Sequence, residues 1–380
     1  MTIAIIGASQ MTKVFANKAR SMGMRTICFA WLDNAVGVED VDKFYDVSIF
    51  EVERITKICR EECVSAVVPT TELTLAVAAR VAEKLALPGN PVSVMENITR
   101  KNYVREKLVG IDGVFKQPKF WFIQNPVDLP DLQEKCFPVI VKPAAEGGKR
   151  GINVAYNRKE LEIFVGVAFS ADRFNHGIIV EEFLNGGDEY SVEMLSFMGR
   201  HQGIQITEKI ISGPPHCVEL GHSQPANIGR ELRMRVFDGA KELLSLIGYQ
   251  NGAAHIEIKI IDNTIYLIEL NARTGGDYIS YPLVQLSTGY DYIGEIISAL
   301  IGKEPKSVDG EIKHFAGVRF ITEQTAYLKP LFDVCDQYEW CYEKHFETDE
   351  LQELKGNNCE HINYFIYSSD HIPDIVLNCQ

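Results

Sequence analysis

The sequence has little positive charge. Its 52 acidic residues outnumber its 38 lysines and arginines, which gives a formal net charge of −14 at pH 7. A protein that binds the phosphate backbone of a nucleic acid needs a positive surface, so we expect no nucleic-acid partner. Basic residues that contact an anionic ligand must then form a local cluster inside a cleft.

Long apolar runs and metal-type cysteine pairs are also missing. No stretch approaches the ~18 uninterrupted apolar residues of a membrane span, and the opening residues MTIAIIGAS lack the charged and apolar regions of a signal peptide. None of the nine cysteines forms a C-x2-C pair, so we expect reduced thiols. These absences predict a cytoplasmic protein with no membrane partner.

The N-terminal part lacks a complete dinucleotide motif. Strands predicted at 3–6, 26–31 and 65–69 alternate with helical segments, which indicates a small parallel sheet with helices on its faces. After Gly7, however, the further glycines of a G-x-G-x-x-G fingerprint are absent, and Thr12 stands before Lys13 where a phosphate-binding loop requires glycine. A nicotinamide-dependent dehydrogenase therefore stays a distant alternative.

What the sequence does contain is a polar hairpin. Strands predicted at 252–261 and 265–271 are joined by a short polar turn that begins at Asp262. A three-residue turn would place Glu257 directly opposite Glu269, whereas a two-residue turn would put the two carboxylates on opposite faces. We predict the three-residue turn.

The same register also pairs His255 with Asn271 and leaves Arg273 just beyond the strand end. Two carboxylates a few ångströms apart cannot both stay ionised unless a cation lies between them. A small number of hard oxygen ligands suits Mg²⁺ better than Zn²⁺ or Ca²⁺. We therefore predict that Glu257, Glu269 and Asn271 are metal ligands for Mg²⁺, with Mn²⁺ as a substitute. The alternative is a surface hairpin with solvated glutamates.

The run E-x-N-x-R from Glu269 to Arg273, followed by Gly275-Gly276, resembles the metal-binding core of the ATP-grasp ligases. Further segments follow the order of that family. The apolar strand at 137–143 carries Lys142, and a lysine in a buried run needs an anionic partner such as a triphosphate. The AEGGKRGI segment after it contains glycines that let backbone N–H groups approach anionic oxygens, and it is similar to the family's phosphate-covering flap.

The resemblance covers about residues 1–300 and implies a set of ATP-binding residues. Two lysines and the glycine-rich loop would hold the phosphates, the VEEFL segment would hold adenine, and a later glutamate would hold the ribose. In this sequence these residues are Lys101, Lys142, Gly147, Gly148, Lys149, Glu181, Phe183, Leu184 and Glu189.

The resemblance also implies the substrate side of the site. The GHSQPA segment is similar to the stretch that borders the substrate pocket of amino-acid ligases, which makes His222 a substrate-binding residue, with an exposed loop histidine as the alternative. Arg273 would be the catalytic residue, because a guanidinium can clamp an acyl phosphate and the oxyanion that follows. Its structural alternative is an ion pair with Glu269 or Asp277. Gly276 would line the substrate pocket beside Arg273.

The fold class implied by the resemblance is α/β and α+β with ATP-grasp architecture. We predict a Rossmann-like parallel-sheet domain at 1–90, an ATP-grasp domain at 91–304 with two α+β subdomains and a flap at about 118–186, and a small C-terminal α+β cap at 305–380. Such an enzyme would use ATP and Mg²⁺ to activate a small carboxylate, such as an amino acid, as an acyl phosphate and to join it to an amine. The resemblance is compatible with a homodimer.

Two other functions fit many of the same residues. A bicarbonate-activating ATP-grasp enzyme of the carboxylase kind would share nearly all of them. An ATP-binding protein without turnover would need no complete set of metal ligands, and the presence of that set beside Arg273 argues against it.

Overall fold

Three β-sheets organise the chain in the computed structural model, which describes residues 1–145, 147, 150–213, 217–354 and 362–377. The first sheet and its helices are β1 (Thr2–Ile6), α1 (Gln10–Ser21), β2 (Arg25–Ala30), β3 (Lys43–Asp46), α2 (Val52–Glu61), β4 (Val64–Pro69) and α3 (Leu75–Lys84). Its strand order is β3-β2-β1-β4, and all its pairs are parallel. The predicted parallel sheet is therefore confirmed. Strand β3 was not predicted, because four half-exposed edge residues show no apolar run.

The next part of the chain forms an antiparallel sheet. Its elements are α4 (Val92–Met95), α5 (Lys101–Leu108), β5 (Phe120–Ile123), β6 (Val139–Pro143), β7 (Asn153–Ala155), α6 (Arg158–Ala171) and β8 (Ile178–Glu182). The strands run in the order β5-β8-β6-β7. Helix α6 buries Leu161, Val165 and Ala168 in the core of this sheet, so strand β6 with Lys142 lies on a rigid support.

Helix α5 has a defined N-terminus. It begins at Lys101, because Arg100 has extended backbone angles (φ −87°, ψ 108°) that end any continuation toward the N-terminus. The backbone N–H of Lys101 donates to the Ala144 carbonyl at 2.8 Å. The first turn of α5 is thereby attached to the end of β6.

The third sheet has eight strands in the described residues, in the order β13-β12-β9-β10-β11-β14-β16-β15. The elements from here on are β9 (Asp188–Phe197), β10 (Arg200–Ile211), β11 (Glu219–Gln224), α7 (Arg230–Ile247), β12 (Gly252–Ile261), β13 (Thr264–Asn271), α8 (Val284–Thr288), α9 (Tyr292–Leu300), β14 (Phe315–Ile321), α10 (Lys329–Val334), β15 (Cys341–His345), β16 (Asn363–Ser369) and α11 (Asp374–Leu377). We expected residues 305–380 to form a small cap. Their strands instead extend this central sheet through β11, and the predicted domain boundaries stay a prediction.

The two faces of the central sheet differ in polarity. On one face Val192, Ile206 and Ile256 pack with Leu244 of α7 in a buried cluster. Because side chains alternate along a strand, the residues between them point to the other face. Cross-strand pairing places these polar side chains side by side there: Glu189 and Glu193 of β9, Lys209 of β10, His222 of β11, and His255 and Glu257 of β12. This polar face is the floor of the candidate site.

The turn of the β12–β13 hairpin is shorter than predicted. Ile261 pairs with Thr264, so the turn consists of Asp262 and Asn263 alone. Both residues have positive φ (47° and 62°), as a two-residue hairpin turn requires. The predicted three-residue turn is therefore wrong.

A β-bulge restores the predicted register further along this hairpin. The pairing shifts by one residue between Glu257 and Ile258, which makes Ile268 the extra residue in β13. The two predicted pairs are confirmed: Glu257 with Glu269, and His255 with Asn271.

Helix α9 joins the first sheet to the central sheet. Ile3, Ile5 and Phe15 of the N-terminal part share one buried cluster with Ile293 and Ile297 of α9. This packing holds the loop after β4 over the end of β13. Within the described residues no helix combines the length and the apolarity needed to cross a membrane.

Candidate active site

A cavity of about 390 Å³ lies over the polar face of the central sheet, and we call it the main cleft. Glu72, in the loop after β4, lines one wall, and Gly147 and Arg150 of the glycine-rich loop line another. Glu257 and Arg273 line the floor. The cleft therefore collects residues that lie far apart in the sequence.

Lys209 of β10 is a central cation of the main cleft that the sequence analysis missed. Its ammonium lies 2.8 Å from Glu219 Oε1 and 3.1 Å from Glu257 Oε2. Burial alone would lower the pKa of Lys209, but the two carboxylates raise it well above its ordinary value. The signal in the sequence was the same as for Lys142, a lysine within an apolar strand that needs a negative partner.

Each of the two paired glutamates holds its own cation. Glu257 contacts Lys209, and Lys101 lies 3.2 Å from Glu269 Oε1. Burial would raise the pKa of Glu257, but Lys209 and His255 lower it well below its ordinary value. Glu257 is therefore ionised at neutral pH, and its oxygen donors belong to the class that Mg²⁺ prefers.

His255 stays positively charged beside Glu257. Its Nδ1 lies 2.5 Å from Glu193 Oε1, and its Nε2 lies 3.5 Å from Glu257 Oε1. Burial would lower the pKa of the imidazole, but the two glutamates raise it to about 9. His255 therefore fixes Glu257 on the side away from Lys209.

A buried charge cluster connects β6, β8 and α5. Glu181 accepts from Lys142 Nζ at 2.8 Å and from Arg105 Nε at 2.6 Å, and Arg105 Nη2 donates to the Ile268 carbonyl at 2.9 Å. Burial would raise the pKa of Glu181, but the two cations lower it to about 2. One carboxylate thus faces two buried cations, which leaves one excess positive charge.

The protein residues predicted to bind adenine and ribose lie in different environments. The Glu181 carboxylate is engaged with Arg105 and Lys142, and the Phe183 N–H donates to the Pro138 carbonyl at 3.2 Å. Glu189 lies 3.3 Å from Lys259 Nζ on the polar face. Their roles in ATP binding, and that of Leu184, stay predictions.

Arg273 is held by a residue that the sequence analysis did not single out. Its Nε donates to Glu72 Oε1 at 2.8 Å, its Nη2 donates to the same oxygen, and its Nη1 donates to the Thr274 carbonyl at 2.7 Å. Burial would raise the pKa of Glu72, but Arg273 lowers it. The ion pair joins the N-terminal part to the end of β13. The expected alternative partners, Glu269 and Asp277, are replaced here by Glu72.

Three titratable groups meet at the far end of the cleft. Ligand-type atoms of Glu219, His222 and Asp277 lie within 4.8 Å of one another. His222 Nε2 is 3.3 Å from Glu219 Oε2, yet neither ring nitrogen has a hydrogen-bond partner of good geometry among the described residues. Because burial is complete, it lowers the pKa of His222 despite Glu219. The alternative of an exposed loop position for His222 is wrong, since the residue lies on β11 and is fully buried.

Residues 135–281 match the family model of the ATP-grasp domain, and the matched range includes Lys142, Glu181, Glu257, Glu269 and Arg273. This part of the chain is similar to the ATP-grasp domain. Lys101 and Glu72 lie outside the matched range but inside the same site.

Several known proteins are similar to larger parts of this chain. The alanine–anticapsin ligase of Bacillus subtilis (strain 168) is 28% identical over 286 residues, which cover 68% of this chain and 59% of that protein. The biotin carboxylase of Pseudomonas aeruginosa is 26% identical over 231 residues, with 59% and 48% covered. The chain thus spans about half to three fifths of the length of the curated relatives it matches. The crystal structure of an L-amino acid ligase from Bacillus licheniformis covers 100% of this chain and 95% of its own, with a TM-score of 0.79 and 23% identity.

Four further predicted site residues are glycines and a lysine of the phosphate and substrate loops. Gly148 and Lys149 lie outside the described residues. A Cβ at Gly147 would meet Glu72 Oε1 at 3.4 Å, so Gly147 lies beside the Glu72–Arg273 pair. Gly276 is exposed, and a Cβ there would meet no atom within 4 Å.

Proposed function

We propose that this protein is an ATP-dependent ligase that activates a small carboxylate as an acyl phosphate and joins it to an amine, with release of ADP and phosphate. The observation that carries this proposal is the placement of Glu257, Lys209 and the Glu72–Arg273 pair in one cleft with Gly147 and Arg150. The names of the ligase relatives above point to the same reaction class.

The cations of the site would hold the ATP phosphates. Lys142 and Arg105 share a single carboxylate, Glu181, so this buried cluster has an excess positive charge that a phosphate oxygen would neutralise. Lys101, at the start of α5, lies beside Glu269. Phosphates between Lys101 and Lys142 would therefore end next to the paired glutamates.

The paired glutamates fit a divalent metal ion. Glu257 and Glu269 face each other across β12 and β13. Asn271 lies two residues after Glu269 on β13 and therefore on the same side of the sheet. When bound there, Mg²⁺ would neutralise negative charge on the phosphates during transfer. Lys101 and Lys209, which contact these glutamates, hold the carboxylates in place.

Arg273 would act on the acyl group. One carboxylate oxygen of Glu72 accepts hydrogen bonds from two N–H groups of Arg273, so the guanidinium is oriented across the main cleft. A fixed guanidinium can stabilise negative charge on the acyl phosphate and on the oxyanion that forms when an amine attacks. His222, which is fully buried beside Glu219, would contact the carboxylate substrate. A homodimer stays a prediction.

The proposal is tested by measuring phosphate release from Mg-ATP with pairs of the common L-amino acids, and by identifying the products by mass. We expect ADP, phosphate and an amide product. Release of pyrophosphate, which indicates an acyl adenylate, would contradict the proposal.

A bicarbonate-activating enzyme is the second candidate, because a biotin carboxylase is among the relatives. In that case bicarbonate alone should stimulate phosphate release, with no amino acid present. The absence of such stimulation, together with amide formation, would exclude it.

A further inference from the structure

A second cavity, of about 430 Å³, lies behind the loop that follows β13. The first turn of α1, the segment 36–39, the loop 275–282 and strand β15 enclose it. Gly276 and Asp277 line both this cavity and the main cleft. A ligand in the second cavity would therefore meet the contents of the main cleft across these two residues.

The walls of the second cavity suit an organic side chain. Tyr278, Tyr281 and Tyr342 provide aromatic surface, and Met11 and Val14 add apolar surface from α1. Tyr281 and Tyr342 are 37% and 49% exposed. Exposed aromatic rings in a concave surface are typical of small-molecule sites.

The charges of the cavity are arranged for a molecule with both an ammonium and a carboxylate. Asp277 is a carboxyl group at the border with the main cleft, Glu39 and Glu343 are two further carboxyl groups of the lining, and Lys13 is a cation on the α1 wall that makes no ion pair within the described chain. The first turn of α1 contains no acidic residue, and the N-terminus of a helix favours negative charge. A ligand whose carboxylate lies near Lys13 would therefore direct its ammonium group toward Asp277.

We infer that the second cavity binds the amine substrate, an α-amino acid with an aromatic or apolar side chain, and that Asp277 receives its ammonium group at the border of the main cleft. This inference rests on the proposed function, since it assigns the acceptor of that reaction. The carboxylate substrate would occupy the main cleft beside Arg273.

The chemistry at the border requires a proton acceptor. An ammonium cannot attack an acyl carbon, so it must first give one proton to a base. Burial and the neighbouring Glu219 raise the pKa of Asp277 to about 7, which is near the optimum for a general base at neutral pH. The amine nitrogen then forms the bond to the acyl carbon, the bond from that carbon to the phosphate oxygen breaks, and the second proton leaves with the phosphate.

The passage between the cavities can be closed without strain. A Cβ at Gly276 meets no atom within 4 Å, and its backbone does not have a positive φ. Gly276→Val should therefore fold and narrow the passage. Gly166→Val in α6 is a matched control, since a Cβ there also meets no atom within 4 Å and the residue lines neither cavity.

Hydroxylamine separates the acceptor site from the activation step. It is a small nucleophile that is already neutral near pH 7, so it needs neither the second cavity nor a base. We expect Gly276→Val and Asp277→Asn to lower the ratio of amide to hydroxamate by about tenfold or more relative to the native protein. Lys13→Gln should raise KM for the amino-acid acceptor and leave KM for ATP unchanged, and Gly166→Val should resemble the native protein.

Each result decides the inference. If the native protein forms no hydroxamate from any common L-amino acid with Mg-ATP, the proposed function itself fails. If the native protein forms it, native-like amide formation by Gly276→Val and Asp277→Asn would overturn the acceptor site alone. Loss of both products in Gly276→Val, with a native-like melting temperature, would also overturn it, because the carboxylate substrate would then lie at Gly276.

Discussion

The buried cluster of Glu181, Lys142 and Arg105 gives a prediction with a definite magnitude. Glu181→Gln keeps the shape of the side chain but leaves two buried cations with no anionic partner. The difference between a pKa of about 2 in the folded protein and 4.5 as the ordinary value corresponds to about 3 kcal/mol, at ~1.4 kcal/mol for each pH unit. Loss of one partner from a buried ion pair costs about 3–5 kcal/mol, so the two estimates agree.

The assay is thermal unfolding followed by circular dichroism. A loss of about 3 kcal/mol should lower the melting temperature by roughly 6–12 °C for a domain of this size. Glu182→Gln is the control, because Glu182 is the exposed neighbour of Glu181 on the same strand. The pKa of Glu181 is depressed by folding, so its stabilising effect is present above pH 4.5 and is lost as the pH falls toward 2. The difference between variant and native protein should therefore be constant from neutral pH down to about pH 5.

A Glu181→Gln variant that melts within 2 °C of the native protein, or a Glu182→Gln variant that melts equally low, would refute this reasoning. The first result would mean that the two cations need no anion in the folded protein. The second would mean that the loss reflects the strand and not the buried charge.

Four further predictions concern the site. Glu269→Gln should abolish turnover with the fold intact, because one neutral ligand weakens the metal site without a change in volume; product formation equal to the native rate at saturating Mg²⁺ would reject the metal assignment. Lys142→Ala should weaken ATP binding in calorimetry, whereas Lys13→Ala should not, and the reverse order would move the nucleotide site to the N-terminal sheet. Arg273→Lys should keep ATP affinity but lower the rate by about 10²–10³, because an ammonium cannot replace the oriented guanidinium; a variant as fast as the native protein would contradict this role. Asp277→Asn should raise the free energy of unfolding at pH 7 to 8 by about 1–3 kcal/mol. Burial and Glu219 raise the pKa of Asp277 to about 7, so ionisation of this carboxyl destabilises the folded state as the pH rises. Denaturant unfolding that shows no gain in stability would contradict the raised pKa.

The sequence alone determined which local segments carry the chemistry. The parallel N-terminal sheet followed from apolar strands that alternate with helical segments, because their burial on both faces leaves a clear pattern. Lys142 was found because a charged residue inside an apolar strand needs a partner. The pairing of Glu257 with Glu269 was also correct, since both residues had to share a face if they act together.

The tertiary structure decided how that pairing is achieved and which distant residues complete the site. The sequence suggested a longer turn, but the hairpin has a two-residue turn and recovers its register through the extra residue Ile268. A β-bulge leaves no clear signal in the sequence of an apolar strand, because the extra residue is recognised only from how that strand pairs with its neighbour. Glu72, which holds Arg273, is 201 positions away in the sequence, and Lys209 is opposite Glu189 only through strand pairing. Contacts of this kind depend on which sheets pack together, and local patterns in a single chain do not contain that information.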